Sequence, residues 1–393
     1  MKKLLILLTP FMLGVSAPYN RYLPPSTPTS PHPASPVITP SVSPMESNAF
    51  DITFEADFLW WTANVTDLSY ATRYQVIGSG ATTTTQPDKI SEFNWDWNPG
   101  VRAAVGVNTN YDGWDVAANW TYFYNSFADT KTVSAPIPSM LALGNPPGTA
   151  LLSNSWSNFS ASNSMATRLT GEGGFQMNQV NLELGRHFLL SQRLSLRPFW
   201  GVRGHFSHLD FRSKKSFEGT GGSSISGFAE WNDYQKQDFW AVGVLGGFDS
   251  SWNVFRFLYI FGSGGLSLCY GPFKNVTHFT THIRSPDRAD VIHDSRIRRN
   301  HDQVWTLQQV LDLALGIRLE QAWISREHRE AFRMVLDIGW EMHLYPSYNH
   351  LDQGTSESTP ITVAPAVDAP ISYRPASGDL SLSGFVVRGR FEF

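Results

Sequence analysis

The stretch Phe50-Asp-Ile-Thr-Phe-Glu-Ala-Asp-Phe-Leu-Trp-Trp61 decides the fold class, because its side chains alternate in character almost from residue to residue. One face carries aromatic and aliphatic residues, and the other carries three acidic residues and a threonine. A period of two is the repeat of a β-strand, whose successive side chains point to opposite faces. Residues 332–344 show the same alternation of apolar and polar side chains. Each strand therefore has one face for apolar surroundings and one that tolerates charge.

Ten such runs occur along the chain, and most exceed the five or six residues usual in globular strands. All of them exceed the 9 to 11 residues that a tilted strand needs to cross a bilayer. They are residues 50–62, 90–108, 113–125, 165–189, 193–212, 236–249, 254–271, 303–322, 331–345 and 380–393. A weaker run, 68–77, is expected to be an extension within the first long loop.

The connections between these runs alternate between long and short. The long ones are residues 63–89, 126–164, 213–235, 272–302 and 346–379, and the short ones are 109–112, 190–192, 250–253 and 323–330. A bacterial transmembrane barrel predicts this rhythm, with short periplasmic turns and long extracellular loops. Alternation alone would also fit a soluble sandwich, which has no reason to keep the rhythm. An even strand number returns the C-terminus to the periplasmic side.

The predicted fold is therefore an all-β transmembrane antiparallel up-and-down barrel of about 10 to 12 strands. More strands are expected if the long loops at 63–89 and 126–164 hide hairpins. Tryptophans near the short turns and near the first long loop predict aromatic girdles at both membrane interfaces.

The first 49 residues are expected to lie outside the barrel. Residues 1–17 combine two lysines, an apolar run and the small residues Val15-Ser-Ala17, which is typical of a cleaved signal peptide. Residues 18–49 are rich in Pro, Ser and Thr and predict a disordered periplasmic arm. The barrel is assigned to residues 50–393.

Composition excludes several classes of function. The net charge of −4 makes nucleic acid an improbable partner. Cys269 is the only cysteine, so an intrachain disulfide or a cysteine-based metal site cannot form. No nucleophile elbow, phosphate loop, dinucleotide turn or zinc-protease helix motif occurs. His278 and His282 lie in an acidic stretch, but residues chosen for solubility explain that loop better than a metal. We predict no catalytic residue, metal or cofactor, and no enzyme activity.

Several segments together resemble one family, the pore-forming major-outer-membrane-protein-like proteins of the legionella and chlamydia type. They are FEADFLWW (54–61), FNWDWNPG (93–100), DGWD (112–115), NWT (119–121), VNLELGR (180–186), LRPFWGVR (196–203), DFWAVG (238–243) and the terminal strand 380–393. The resemblance implies an abundant channel for small solutes in the bacterial outer membrane. Chlamydial members are cysteine-rich and cross-linked, so a disulfide-bonded coat is doubtful for a chain with one cysteine.

If the strands close, their charged faces line the interior. The pore-lining candidates are Arg102, Asp115, Glu183, Arg197, Arg203, Arg256, Asp312, Arg318, Glu320, Asp337, Glu341, Arg388 and Arg390. Seven of the thirteen are arginines, which predicts a slightly anion-favouring or weakly selective pore. The alternative is a packed polar core, because ten strands enclose little more space than eight.

The C-terminal strand ends in an alternating pattern that places Phe391 and Phe393 on one face. A terminal phenylalanine on such a strand resembles the signal by which outer-membrane barrels are recognised for insertion. The barrel-assembly machinery is therefore an expected partner, together with outer-membrane lipid.

Three functions remain open from the sequence. The first is a porin-like channel for passive diffusion of small hydrophilic solutes and ions. The second is a structural or adhesive surface barrel with a plugged lumen that acts through its extracellular loops. The third is a secreted soluble β-protein that binds a ligand or a glycan. A homo-oligomer is also left open, since nothing in the sequence marks a subunit interface.

Overall fold

The computed structural model describes most of the chain after the N-terminal 50 residues. The described residues are 51–77, 84–109, 113–133, 150–154, 168–191, 193–219, 227–255, 257–284, 291–300, 303–324, 330–356 and 371–392. The expected signal peptide and periplasmic arm lie outside them, as do Arg256 and Phe393.

Ten long antiparallel strands form the wall of the molecule. They are β1 (Asp51–Val65), β4 (Asn98–Asn108), β5 (Trp114–Thr132), β7 (Arg168–Arg186), β9 (Leu194–Gly219), β10 (Gly227–Phe255), β11 (Leu258–Arg284), β13 (Val304–Ile324), β14 (Glu330–Tyr345) and β17 (Leu380–Glu392). All ten runs predicted from the sequence are strands of this wall, and the first and last strands pair with each other along their length. The pairing of β9 with β10 completes the ring. The predicted fold class is confirmed, with ten strands in the barrel.

Seven shorter strands are not part of the ring of ten. They are β2 (Ala71–Ile77), β3 (Thr84–Ser91), β6 (Ala150–Asn154), β8 (Phe188–Leu189), β12 (Val291–Asn300), β15 (Asp352–Ser356) and β16 (Ile371–Pro375). β2, β3 and β6 form a small separate sheet, β15 pairs with β16, and β12 extends the sheet beside β11. The long loops thus contain strands of their own, but among the described residues none of these enters the ring. The described part of the chain contains no helix long and apolar enough to cross a membrane.

The alternation predicted from the sequence separates an outer and an inner face. On β1, Phe54 and Phe58 are half exposed on the outside, while Asp57 and Trp61 are buried inside. An apolar exterior is stable only where acyl chains replace water, because exposed apolar patches of this extent are rare on soluble proteins. The outer face is therefore the lipid-facing surface.

One short turn is misplaced in the sequence-based assignment. Residues 250–253 were predicted as a turn, but β10 continues to Phe255 and β11 begins at Leu258. Trp252 pairs with Leu194 on one side and Ile260 on the other. Strand pairing on both sides stabilises the extended backbone there.

The predicted aromatic girdles are confirmed in part. Trp252 and Trp323 are exposed at the end of the barrel that carries the short turns, and Trp60 and Trp97 are exposed toward the other end. Trp61, however, is fully buried inside the barrel. The position of Trp61 along the chain correctly predicts its height in the barrel. Whether a side chain points inward or outward depends instead on its odd or even position along the strand.

Glycines on the inner face make room for large neighbours. The Phe261 ring lies over Gly316, and a Cβ at Gly316 would also meet the Ile338 carbonyl oxygen. Gly246 is different, because a Cβ there would meet only the Phe199 carbonyl oxygen at 3.9 Å.

We predict that Gly316→Ala lowers the free energy of unfolding by about 1–3 kcal/mol, because the added methyl group overpacks the inner wall. The measurement is the urea dependence of heat-modifiable electrophoretic migration of the refolded barrel. Gly246→Ala is the matched control and should leave the urea midpoint unchanged. Equal urea midpoints for the two variants would contradict the prediction, because the wall at Gly316 would then accommodate the methyl group with no loss of unfolding free energy.

Candidate functional site

The interior of the barrel changes character along its axis. On β1 the inward side chains are Glu55 and Asp57 toward the short turns, followed by Leu59 and Trp61 toward the long loops. The short-turn end is the periplasmic end of such barrels. The interior therefore has a charged periplasmic half and an extracellular half rich in buried aromatic and aliphatic side chains, among which Gln235, Gln237 and Lys215 are also buried.

The extracellular half is closed by a layer of buried side chains, here called the apolar plug. Nine of the ten ring strands contribute residues that are at most 4% exposed. The plug consists of Leu59, Trp61, Phe123, Phe127, Phe175, Met177, Leu209, Phe211, Phe239, Phe273, Val310, Tyr345, Leu380 and Leu382. Within it, the Phe239 and Phe273 rings stack with their centroids 4.0 Å apart. Side chains that are this well buried leave no continuous water-filled path between them.

Tyr345 shows how narrow the interior is at this level. Its hydroxyl group donates a hydrogen bond to the Gln179 Oε1 atom at 3.2 Å. Tyr345 lies on β14 and Gln179 on β7, which are five strands apart in either direction around the ring of ten. Two side chains from opposite walls thus meet at the centre of the barrel.

A turn inserted from the last long loop completes the closure, and we call residues 346–351 the inserted turn. The Gln237 amide nitrogen donates to the Tyr348 carbonyl oxygen at 3.0 Å, and the Gln308 amide nitrogen donates to the Pro346 carbonyl oxygen at 2.8 Å. The Asn275 amide nitrogen bonds the His350 carbonyl oxygen. These amides satisfy backbone groups that would otherwise be buried without partners.

The side chain of Tyr348 extends from the inserted turn into the plug. It is fully buried, and its hydroxyl group lies 2.6 Å from the Ser207 Oγ atom. Burial raises the pKa of the Tyr348 phenol above its ordinary value, so the group stays neutral at physiological pH. A neutral phenol is compatible with an apolar plug, whereas a phenolate would not be.

Below the plug, Arg102 connects three strands through charge-assisted hydrogen bonds. Its guanidinium group donates to both carboxylate oxygens of Glu341, at 3.0 and 2.9 Å, and to Asp57 at 2.9 Å. Arg388 lies 3.3 Å from Asp57 and 3.3 Å from Glu341. Bidentate geometry of this kind gives strong and directional pairs. The two arginines therefore hold the buried carboxylates of β1 and β14 in place.

A second chain of charges crosses the interior at a similar depth. Asp312 accepts a hydrogen bond from Arg203 at 2.7 Å, and its other oxygen lies 2.7 Å from the His343 Nδ1 atom. Arg203 also donates to Asn181 at 2.9 Å and to Ser267 at 2.7 Å. This chain joins five strands, so it braces the barrel as well as setting its internal charge.

Nearer the short turns, one arginine faces three carboxylates. Arg197 bonds Asp115 at 2.9 Å and Asp249 at 2.8 Å, and lies 3.4 Å from Glu183. Asp249 has 44% of its side chain exposed, so this group is in contact with water. The local charge balance is acidic because a single guanidinium cannot neutralise three carboxylates.

The charged half encloses a vestibule of about 300 Å³. Small inward residues such as Ala104, Gly265 and Ala314 line it, and it extends to Thr109 and Gly113 at the first short turn. It therefore lies between the charged layer and the periplasmic end. The described residues contain no group of three or more side chains that could hold a metal ion.

Twelve of the thirteen candidates from the sequence lie on inward-facing positions of the described strands, and Arg256 lies outside the described residues. Lys215 and Asp233 are buried inside the barrel nearer the long loops and were missed. Five further charged residues lie in the charged half and were also missed. They are Glu55, Asp57, Asp249, Arg333 and Glu392. Strand parity alone would have found them, since each lies an even number of residues from an inward neighbour on its own strand. Phe391 faces outward and is 38% exposed.

The additional residues change the expected charge of the interior. The charged half holds seven arginines and ten carboxylates. The acidic ones are Glu55, Asp57, Asp115, Glu183, Asp249, Asp312, Glu320, Asp337, Glu341 and Glu392. The prediction of a slightly anion-favouring or weakly selective pore stays a prediction, but the charged half holds more carboxylates than arginines.

A closed ring of ten antiparallel strands with an apolar exterior, aromatic belts and a charged interior defines the outer-membrane β-barrels. The family described as Legionella pneumophila major outer membrane protein precursor matches residues 42–393, nearly the whole chain. The chain belongs to this family, and its location is the bacterial outer membrane, in contact with membrane lipid. No curated protein sequence matches it.

Solved structures that resemble the chain are remote. The outer membrane protease OmpT from Escherichia coli is 8% identical, with a TM-score of 0.35, and the match covers 88% of this chain and 99% of OmpT. A Pseudomonas aeruginosa FadL homologue is also 8% identical, with a TM-score of 0.22 and coverage of 88% and 90%. At this distance, neither the protease activity nor any other function of these proteins transfers to the chain.

We predict that Arg102→Met lowers the free energy of unfolding by about 3–5 kcal/mol, because it leaves the buried carboxylates of Asp57 and Glu341 short of a partner. The measurement is again urea unfolding of the refolded barrel. The double variant Arg102→Met/Glu341→Gln should recover part of the loss. Arg212→Met, which breaks an exposed pair with Glu172, is the control and should cost less than about 1 kcal/mol.

Proposed function

We propose that the protein is a structural surface barrel of the outer membrane whose lumen is closed in the conformation described. The observation that carries this proposal is the apolar plug, in which Tyr345 and Gln179 meet across the full width of the interior. Ions cross a barrel only along a path of water or polar ligands, and a dry apolar constriction blocks them. A wall of this kind adds stable protein surface to the envelope and exposes the long loops to the outside.

The packing of the plug supports a permanently closed lumen rather than a thin barrier that opens easily. Its side chains come from the wall and from the inserted turn, and amides from three strands bond the backbone of that turn. A plug that is anchored by several buried hydrogen bonds resists displacement, because each broken bond leaves a polar group without a partner. The proposed role requires no catalytic step, so we expect a protein without enzyme activity.

A channel for passive diffusion of small hydrophilic solutes is the second candidate, and a specific observation favours it. The vestibule is polar, charged and connected to the periplasmic end, as the inner half of a diffusion path would be. In this candidate the plug must move aside. The excess of carboxylates over arginines would then select for cations over anions.

We predict that the refolded wild-type barrel gives no stable conductance steps in a planar bilayer, because the plug excludes water. Tyr345→Ala/Tyr348→Ala should give discrete openings, since it removes the two side chains that reach furthest across the interior. Tyr124→Ala/Tyr270→Ala removes two lipid-facing tyrosines and is the matched control, which should stay silent. Heat-modifiable migration verifies that each variant is folded.

Stable steps from the wild-type protein would refute the closed barrel and establish the second candidate. The reversal potential in a salt gradient would then measure selectivity, with a cation preference expected from the interior charge. Failure of folded wild-type protein to insert into lipid would instead contradict the lipid-facing assignment of the outer surface.

A further inference from the structure

The outer face of the barrel carries a group of basic residues just above the extracellular aromatic belt. Among the ring-strand residues whose side chains the structure describes, five of the six outward-facing lysines and arginines lie there, on the adjacent strands β7, β9, β10 and β11. We call them the basic rim, which consists of Arg168, Arg212, Lys214, Lys236 and Lys274. The sixth, Arg186, lies at the periplasmic end beside Trp114.

The height of the basic rim follows from strand geometry. Trp240 and Tyr270 belong to the exposed aromatic belt, and Lys236 and Lys274 each lie four residues further toward the long loops. Four residues at about 3.3 Å each, on a strand tilted by roughly 40°, place these ammonium groups about 10 Å above the belt. Aromatic belts mark the boundary of the hydrocarbon, so this height is that of the lipid headgroups.

Three acidic residues share the same face. Lys236 lies 3.2 Å from Asp238, Arg212 lies 3.0 Å from Glu172, and His208 contacts Asp238 at 2.7 Å and Asp210 at 3.9 Å. Five basic groups against three carboxylates leave a local charge of +2 with His208 neutral, in a chain whose net charge is −4. The charge of these residues is thus concentrated on one side of the barrel, toward the long loops.

We propose that the basic rim binds the phosphate groups of an anionic glycolipid, the lipopolysaccharide of the outer leaflet. Its continuity with the lipid-facing belt supports this partner, because the same strands contact acyl chains below and would contact headgroups above. Guanidinium and ammonium groups suit phosphate, and Lys or Arg near a charged lipid surface adds to the affinity. The surface lies outside the lumen, so it is independent of whether the barrel conducts.

The test is binding of purified lipopolysaccharide to the folded full-length barrel in neutral detergent at low salt, measured by native mass spectrometry. Arg212→Gln/Lys236→Gln/Lys274→Gln should weaken binding roughly a hundredfold, since each basic residue contributes about a factor of five. Arg73→Gln/Lys89→Gln/Arg193→Gln removes the same charge from described residues outside the rim and should bind as the wild type does. Dephosphorylated lipopolysaccharide should bind the wild type as weakly as the rim variant binds the intact lipid.

A second variant tests the opposite direction and keeps the proposal falsifiable if the first variant does not fold. Glu172→Gln/Asp210→Asn/Asp238→Asn removes the three carboxylates of the rim and should tighten binding. Equal affinity of wild type and folded rim variant, or of phosphorylated and dephosphorylated lipid, would overturn the proposal. Equally tight binding of a soluble phosphorylated saccharide without acyl chains would also overturn it, because the site would then recognise a free polyanion.

Discussion

The closure of ten strands into one ring is the constraint on which the rest of the structure depends. The ring is so narrow that Tyr345 on β14 reaches Gln179 on β7 across its full width. Most inward side chains then pack against others, because the interior leaves little space beyond the vestibule. The apolar plug and the paired charges are two solutions to this one problem, at the two ends of the same interior.

The charged half shows how such an interior keeps ionised groups buried. Arg102, Arg203 and Arg197 each contact more than one acceptor on other strands. Breaking a buried pair is costly, whereas an intact network mainly fixes geometry. Glycines beneath Phe261 and Arg197 provide the space that these larger groups need. The same set of cross-strand contacts thus determines the stability of the barrel wall and the charge and shape of the vestibule.

The outer surface follows a different rule, since lipid replaces protein as the packing partner. It is apolar through the membrane, aromatic at the interfaces and charged only where the strands leave the hydrocarbon. The strands β9, β10 and β11 are the longest, at 26, 29 and 27 residues, and they carry four of the five residues of the basic rim on one side of the barrel. Strand length therefore determines where the protein presents charge to the membrane surface.

The sequence by itself determined the ten strands and the inward position of twelve charged candidates, because alternation is a local property. It overestimated the connection 213–235, where β9 continues to Gly219 and β10 begins at Gly227. It misplaced the turn at residues 250–253, where pairing with both neighbouring strands extends β10. It missed Glu55, Asp57 and Asp249 as interior charges. Only the tertiary structure decided whether the lumen is open, because that depends on how far side chains from opposite walls reach across the ring. The alternation along one strand does not reveal how far side chains reach across the ring. The inserted turn that completes the plug comes from a loop whose sequence indicates only a connection.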